Sequence, residues 1–273
     1  MKSISILTDK LKDARIMTGR AGRTPAPREV KLAERYAHRG YHDKPHIPEN
    51  SMAAFRRALE HGFSVEFDVH LIADGSLVVF HDESLERETG ASGEIEDYDI
   101  VNLKKLRLEG TDEQIPTLDE VLDLYEDSGL PVLIELKVAR GNYRALTEAV
   151  CRRLDSYKGE YVIESFDPRA LMVLSRIRPE IRRGQLAQNF IKNREGLPFY
   201  QAVLLTNLFF NRIARPDFIA YRFSDRMVPA LSRAARKKGI PEAMWTIKTP
   251  EDYKTAVREG CVPIFEQLDP DNI

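Results

Sequence analysis

The sequence predicts an α/β protein built as a (β/α)8 TIM barrel, with a small insertion after the strand that ends at His81 and Asp82. From Tyr36 onward, short β-rich runs alternate with helical stretches, a pattern typical of parallel strands joined by crossover helices. The length of 273 residues is close to the about 250 residues of such a barrel. We therefore expect one barrel domain over residues 35–273, preceded by an N-terminal extension over residues 1–34.

Eight parallel strands are expected once the antiparallel return strand near residues 77–81 is set aside. The β-rich runs lie near residues 35–39, 64–71, 77–81, 131–137, 161–166, 182–187, 217–223, 243–247 and 262–265. The helical stretches lie near residues 50–61, 117–128, 143–155, 168–177, 192–207, 227–238 and 250–258. Residues 82–116 hold more than a simple loop and form the insertion.

The N-terminal extension carries no core pattern. It is richer in Lys and Arg than in Asp and Glu, and residues 18–27 have the composition of a loop. It could be an arm that binds an anionic partner, but we favour an irregular extension of the barrel without chemistry of its own.

The composition excludes several classes of protein. Apolar residues make up 42% of the chain and charged residues 31%, and the net charge of −2 gives no general attraction to nucleic acid or to an anionic membrane. No apolar run approaches the ~20 residues needed to span a bilayer, and Asp9 ends the short apolar run at residues 4–7. We expect a cytoplasmic protein without stable membrane insertion, whose oligomeric state the sequence leaves open.

Cys151 and Cys261 are the only cysteines, and no Cys-x-x-Cys spacing occurs. This count excludes a structural zinc site built from cysteines. We expect both side chains to be buried packing thiols rather than nucleophiles.

Charged side chains interrupt two strands that are otherwise apolar. Glu66 and Asp68 lie on the first strand, and Glu135 and Lys137 lie on the second. Because side chains alternate along a strand, the members of each pair point to the same face. Burying an unpaired charge is costly, so a shared cation is the simplest explanation, although solvated carboxylates on an ordinary amphipathic strand are the alternative.

The Asp74-Gly75 dipeptide predicts a β-hairpin after the first of these strands. If these two residues form the whole loop, Asp68 pairs with His81, and directly opposed residues share a face of the sheet. The register then predicts that Glu66, Asp68 and His81 lie together, as carboxylates beside a candidate acid–base group.

An ordered set of short motifs resembles that of glycerophosphodiester phosphodiesterases, from about Tyr36 to near the C-terminus. The motifs are Tyr36-Ala37-His38-Arg39-Gly40, Pro48-Glu49-Asn50-Ser51 with Ala54-Phe55, Glu66-x-Asp68-Val69, Asp74-Gly75, Val78-Val79-x-His81-Asp82, Ile134-Glu135-Leu136-Lys137 and Trp245-Thr246. Each motif alone is weak, but their order and spacing are highly specific. The resemblance implies the same barrel fold and an insertion that overhangs the active site.

Three segments depart from the family pattern. Ile72 stands where a threonine is usual before Asp-Gly, and Lys248 stands where an asparagine is common. The closing segment at residues 260–270, which includes Glu266, lacks the usual Gly-x-Asp-x-Ile-x-Thr-Asp-x-Pro pattern. These changes spare the expected metal and acid–base residues, so they concern which alcohol group is recognised.

Three carboxylates, Glu66, Asp68 and Glu135, form a hard oxygen site that suits one divalent cation, Mg²⁺ or Ca²⁺. The resemblance implies the same three ligands. Histidine titrates near physiological pH, so His38 and His81 are the expected general base and general acid.

Four residues are expected to bind substrate: Arg39, Glu49, Lys137 and Trp245. Arg39 and Lys137 would add positive charge to a phosphate, although Lys137 could instead only pair with Glu135. Glu49 could be a neighbour of a helix N-cap, and Trp245 could be a core aromatic residue of the barrel rim.

The resemblance implies hydrolysis of a small glycerophosphodiester to glycerol 3-phosphate and an alcohol. One alternative is lysophospholipase D-type cleavage of lysophospholipids, which an exposed apolar rim would favour, with candidates Phe190, Phe199, Leu208, Phe209 and Phe210. The other is a phosphodiester-binding protein without turnover. The paired histidines argue against a mere binder, since binding needs no acid–base groups.

Overall fold

Eight parallel strands close into a barrel in the computed structural model, which describes residues 31–273 except for the side chains of residues 235–238. Residues 1–30 of the predicted N-terminal extension therefore lie outside the described residues. The eight barrel strands are β1 (Tyr36–His38), β2 (Ser64–Leu71), β4 (Val132–Leu136), β5 (Tyr161–Ser165), β6 (Arg183–Ala187), β7 (Phe218–Arg222), β8 (Glu242–Ile247) and β9 (Val262–Phe265). The ninth strand, β3 (Leu77–Val79), pairs antiparallel with β2. Since β1 pairs with both β2 and β9, the barrel is closed and the predicted (β/α)8 fold is confirmed.

Helices surround the barrel between successive strands. They are α1 (Met52–Glu60), α2 (Glu86–Thr89), α3 (Ile100–Leu103), α4 (Leu118–Tyr125), α5 (Tyr143–Leu154), α6 (Pro168–Ile177), α7 (Phe199–Thr206), α8 (Asn211–Ala214), α9 (Pro229–Lys238) and α10 (Pro250–Arg258). Ser51, Thr117 and Thr249 begin α1, α4 and α10, because each side chain accepts a hydrogen bond from the backbone N–H three residues on.

The predicted helix at residues 192–207 is wrong in its first half, because α7 begins only at Phe199. Glu195 and Gly196 have positive φ angles of 47° and 80°, which a right-handed helix does not allow. Pro198 then stands at the N-cap. The apolar pattern therefore predicts a helix start that lies too early in the chain, within the preceding loop.

The predicted hairpin register is wrong by one residue. Leu71 pairs with Leu77, and Ile72 N–H donates to the Ser76 carbonyl, so the loop consists of the three residues 73–75. Asp68 therefore lies opposite Phe80, whose N–H donates to the Asp68 carbonyl. The cause is local: Gly75 has a φ of 87°, and Asp74 accepts hydrogen bonds from Ser76 N–H and Ile100 N–H. These contacts favour the three-residue turn with a left-handed last residue over the two-residue turn.

Residues 82–116 carry α2, α3 and a 3-10 turn at Ile95–Asp97. Their apolar side chains form a small cluster with the β2–β3 hairpin, made of Ile72, Val78, Phe80, Leu85, Ile95, Leu103, Leu108 and Ile115. The insertion is thereby fixed beside the carboxyl end of β2.

Apolar side chains fill the interior of the barrel. This barrel floor consists of Tyr36, Leu133, Val162, Leu186, Phe218, Ala220, Ala243 and Ile264. Gly184 is required next to it, because a Cβ there would lie 2.2 Å from the Phe218 ring. The space left for chemistry is therefore at the carboxyl ends of the strands, where such barrels carry their active sites.

Within residues 31–273, no helix has both the length and the apolar character needed to cross a bilayer.

Candidate active site

Acidic side chains meet at the carboxyl ends of three neighbouring strands. In the parallel register, Asp68 of β2 pairs with Glu135 of β4, and Glu135 pairs with Glu164 of β5. Glu66 lies two residues before Asp68 on β2, on the same face of the strand, and pairs with His38 of β1. All four carboxylates are buried above the barrel floor.

Glu66, Asp68 and Glu135 each offer a carboxylate oxygen within 4.8 Å of those of the other two. Three oxygen ligands at this spacing suit a hard divalent cation. The same strand alternation that was expected from the sequence points Glu66 and Asp68 to one side, where β4 brings Glu135 alongside.

The electrostatics of this group favour a cation. Burial and the neighbouring carboxylates Asp68 and Glu135 raise the pKa of Glu66 well above its usual value. Burial, opposed by Lys137, raises the pKa of Glu135 to about 7. Since the carboxylates disfavour being ionised together, a divalent cation that offsets their charge fits the donor set.

Asp68 behaves differently from its neighbours. Burial opposes its ionisation, but the charges of Lys137 and Arg39 and a hydrogen bond from Asn50 hold its pKa well below the usual value. The Asn50 amide nitrogen lies 2.9 Å from Asp68 Oδ2. Asp68 is therefore the permanently charged member of the group.

Arg39 and Lys137 supply fixed positive charge beside the carboxylates. Lys137 Nζ lies 3.1 Å from Glu135 Oε1 and 3.3 Å from Asp68 Oδ1. Arg39 Nε lies 3.6 Å from Asp68 Oδ2, and the Arg39 N–H donates to Glu66 at 3.0 Å. Arg39 has a positive φ of 56°, which turns its backbone N–H toward the site.

Glu49 holds the cations on the outer side of the site. Its Oε1 accepts from Arg39 Nη1 at 2.7 Å and from Arg87 Nη2 at 2.9 Å, and its Oε2 lies 2.7 Å from Lys44 Nζ. Burial opposes ionisation, but these three cations lower the pKa of Glu49. Glu49 thus orients Arg39, while Ser51 rather than Glu49 caps α1.

Each of the two predicted histidines is held by a carboxylate at its Nδ1 atom. His38 Nδ1 lies 2.7 Å from Glu266 Oε2, and His81 Nδ1 lies 2.6 Å from Asp82 Oδ1. In both rings Nε2 is left free of this contact, and His38 Nε2 lies 3.9 Å from Glu66. His81 reaches the site although its register was mispredicted, because β3 ends at Val79 and strand alternation no longer governs it.

Burial favours the neutral form of both histidines. Burial and the charge of Lys137 lower the pKa of His81 to about 4. Burial and the charge of Arg39 also lower the pKa of His38. A neutral imidazole can accept a proton, which is what a general base requires.

A small pocket of about 40 Å³ opens onto these groups. Its lining comprises His38, Arg39, Glu66, His81, Glu135, Glu164, Phe166, Leu186, Trp245 and Ile264. Trp245 contacts Phe166 edge to face, with ring centroids 5.5 Å apart, and its Nε1 donates to the Ala220 carbonyl at 3.3 Å. The structure thus brings together every site residue predicted from the sequence; Glu49, Asp68 and Lys137 do not line the pocket but contact residues that do.

Sequence reasoning missed Glu164 and the role of Glu266. Glu164 is buried among the apolar side chains of β5, the same signal that singled out Glu66 and Glu135. Burial and the charges of Glu135 and Asp68 raise its pKa well above the usual value. Glu266 had been noted only as a departure from a motif, and its contacts with His38 and Lys248 depend on how β8 and β9 meet β1.

The predicted apolar rim does not form one surface. Phe190 and Leu208 are buried, and Phe210 packs with Leu171 and Met172 of α6. Phe199 and Phe209 are exposed. The continuous acyl-binding rim expected for a lysophospholipid substrate is therefore broken.

The profile of the glycerophosphoryl diester phosphodiesterase family matches residues 38–266. A glycerophosphodiester phosphodiesterase of Caldanaerobacter subterraneus is 30% identical over 246 residues, which cover 87% of this chain and 94% of that protein.

Solved structures agree with the fold. A phosphodiesterase of Oleispira antarctica, solved with the product sn-glycerol-3-phosphate, has a TM-score of 0.72 and 25% identity, covering 86% of this chain and 93% of its own. A glycerophosphodiester phosphodiesterase of Thermotoga maritima has a TM-score of 0.65 and 29% identity, covering 87% and 95%.

Proposed function

This chain belongs to the glycerophosphoryl diester phosphodiesterase family, whose members are phosphoric diester hydrolases, and we propose that it hydrolyses glycerophosphodiesters to glycerol 3-phosphate and an alcohol. The observation that carries the proposal is the meeting of three carboxylates, two cations and two carboxylate-held histidines around one pocket. The product bound to the Oleispira antarctica relative supports the same glycerol phosphate group as ligand.

One divalent cation, Mg²⁺ or Ca²⁺, would be held by Glu66, Asp68 and Glu135. The raised pKa values of Glu66 and Glu135 support this, because burial and the neighbouring carboxylates make their shared ionisation costly and a divalent cation would offset that charge. When bound, the cation would offset the charge of a phosphate oxygen.

Arg39 and Lys137 bind the phosphate in this proposal. Both lie beside Asp68, so their side chains converge on one region of the pocket. Arginine offers a planar fork to phosphate oxygens, and lysine acts as a point charge. Trp245 and Phe166 form the apolar wall against which the glycerol carbons pack.

His38 and His81 move the protons. His38 takes the proton of the glycerol 2-hydroxyl as its oxygen attacks phosphorus, and His81 gives a proton to the oxygen of the departing alcohol. Water then opens the cyclic phosphate with the two roles reversed. The bound phosphate anion favours the protonated form of His81, which is otherwise neutral.

Glu266 and Asp82 fix the ring orientation of the two histidines. A carboxylate at Nδ1 selects the tautomer that leaves Nε2 for the substrate. This arrangement favours a catalyst over a protein that only binds phosphodiesters, because binding alone requires no oriented imidazole.

The deciding experiment measures phosphate release by a coupled phosphatase, with glycerophosphocholine and lysophosphatidylcholine assayed in parallel. We expect turnover of glycerophosphocholine and poor turnover of the lysophospholipid. The choline, ethanolamine and glycerol esters should differ by no more than about tenfold in kcat/KM, which corresponds to ~1.4 kcal/mol, because the residues proposed to bind substrate all hold the phosphate and glycerol groups. More efficient cleavage of lysophosphatidylcholine below its micellar concentration would replace this proposal by the lipid one.

A further inference from the structure

We propose that Arg87, on α2 of the insertion, is a positioning residue that sets the geometry of both sides of the active site; this inference rests on the proposed function. Arg87 does not line the pocket, and its side chain is 43% exposed. It therefore acts through the residues that it holds.

The first branch leads from Arg87 to His81. Arg87 Nε lies 2.5 Å from Asp82 Oδ2, while the other oxygen of Asp82 holds His81 Nδ1 at 2.6 Å. Burial opposes ionisation, but the hydrogen bonds from His81 and Arg87 lower the pKa of Asp82. Asp82 is thus held by both the His81 imidazole and the Arg87 guanidinium.

The second branch leads from Arg87 to Arg39. Arg87 Nη2 lies 2.9 Å from Glu49 Oε1, and this same oxygen accepts from Arg39 Nη1 at 2.7 Å. The Arg87 guanidinium therefore contacts two carboxylates. Asp82 orients the acid–base residue His81, and Glu49 orients the phosphate-binding residue Arg39.

The insertion reinforces Glu49 by a second route. Lys44 Nζ lies 2.7 Å from Glu49 Oε2 and also contacts Glu88 and Glu109 of the insertion, at 3.0 and 2.9 Å. Arg87 Nη1 contacts Glu88 as well. The insertion thus helps to hold the site, in addition to the overhang of the active site that the resemblance implies.

Arginine is required by the geometry of the two contacts. Its planar fork places Nε and Nη2 at a fixed angle, so Asp82 and Glu49 are held relative to each other. Lysine carries the same charge on one atom and cannot hold both carboxylates in this way. The effect is on rate, because a small displacement of reacting groups costs much in turnover.

The test compares Arg87→Ala with a matched control, Arg140→Ala. Arg140 also ties the insertion to the barrel through two carboxylates, Glu94 and Asp97, but it touches no residue of the site. With glycerophosphocholine and the coupled assay, we expect Arg87→Ala to lower kcat by about 10- to 100-fold and Arg140→Ala to change it less than twofold.

Two further readouts separate positioning from general stability. Arg87→Lys, which keeps the charge, should recover at most part of the lost kcat, and added guanidinium ion at non-denaturing concentration should partly restore Arg87→Ala but not His81→Ala. Equal rates for the Arg87 and Arg140 variants, or full activity of Arg87→Lys, would overturn the inference. An inactive wild-type protein would instead overturn the proposed function.

Discussion

Replacing His38 or His81 by alanine should lower kcat by at least ~10²-fold, because each variant removes a proposed proton-transfer group at the pocket. Substrate should still bind, since Arg39 and Lys137 remain. The measurement is kcat and KM with glycerophosphocholine, and His46→Ala, an exposed histidine outside the pocket, is the control. A wild-type rate in either active-site variant would show that its role is misassigned.

Glu135→Gln should abolish turnover with the fold retained, because it removes the charge of a proposed metal ligand at nearly constant volume.

The pKa of Glu135 is raised to about 7 in the folded protein. A carboxyl group with a raised folded pKa loses stabilising free energy as the pH rises from its unfolded value through the folded one. In metal-free buffer at pH 8, Glu135→Gln should therefore unfold at a higher temperature than the wild type, and an unchanged or lower Tm would contradict the electrostatic account.

Single residues show where sequence reasoning succeeds and where it fails. Glu66, Asp68 and Glu135 could be singled out because a charge within an apolar strand is visible in the sequence. Glu164 carries the same signal but stands in no motif. The contact of His38 with Glu266 joins residues 228 positions apart, so it depends on barrel closure and not on any local pattern.

At the scale of elements, the β2–β3 turn offers a test of the hairpin correction. Asp74→Ala removes the acceptor of Ser76 N–H and Ile100 N–H, the second of which begins α3 of the insertion. We expect a fall in Tm of about 2–4 °C, corresponding to a loss of about 1 kcal/mol in the free energy of unfolding. Asp74→Asn, which keeps one acceptor oxygen, should lose less; equal Tm values for Asp74→Ala and the wild type would show that the turn is held by Gly75 alone.

Strand positions were easier to predict than loop geometry. The β-rich runs fall on the observed strands because periodic apolar residues report burial directly. The hairpin register and the start of α7 depend on left-handed residues such as Gly75 and Glu195, and on side chains that reach distant backbone. A non-glycine residue with positive φ, such as Glu195, leaves no reliable mark in one sequence.

At the scale of the whole molecule, a bound cation should stabilise the fold. A ligand that binds only the folded state at a hundredfold excess over Kd adds about 2.7 kcal/mol, which corresponds to a rise in Tm of roughly 5–10 °C. We expect Mg²⁺ or Ca²⁺ to produce this shift in the wild type and not in Glu135→Gln, and chelation to abolish turnover. Full activity in excess chelator would end the metal proposal.

The barrel as a whole was predictable because its evidence is redundant. Eight strand signals, the chain length and the motifs at the ends of several strands all indicate the same architecture, so no single error changes it. The cytoplasmic location and the limits of the extension at residues 1–34 remain predictions, since they depend on features outside the barrel.

Because the barrel floor is packed, we expect the active site to open only at the carboxyl ends of the strands. Phe218, Leu186 and their neighbours pack the interior of the barrel, so we expect both products to leave through the pocket mouth by which the substrate enters. In the proposed mechanism, glycerol 3-phosphate keeps the phosphate that Arg39 and Lys137 bind, whereas the freed alcohol keeps none. The alcohol should therefore depart first, and glycerol 3-phosphate should compete with incoming substrate far more strongly than choline does.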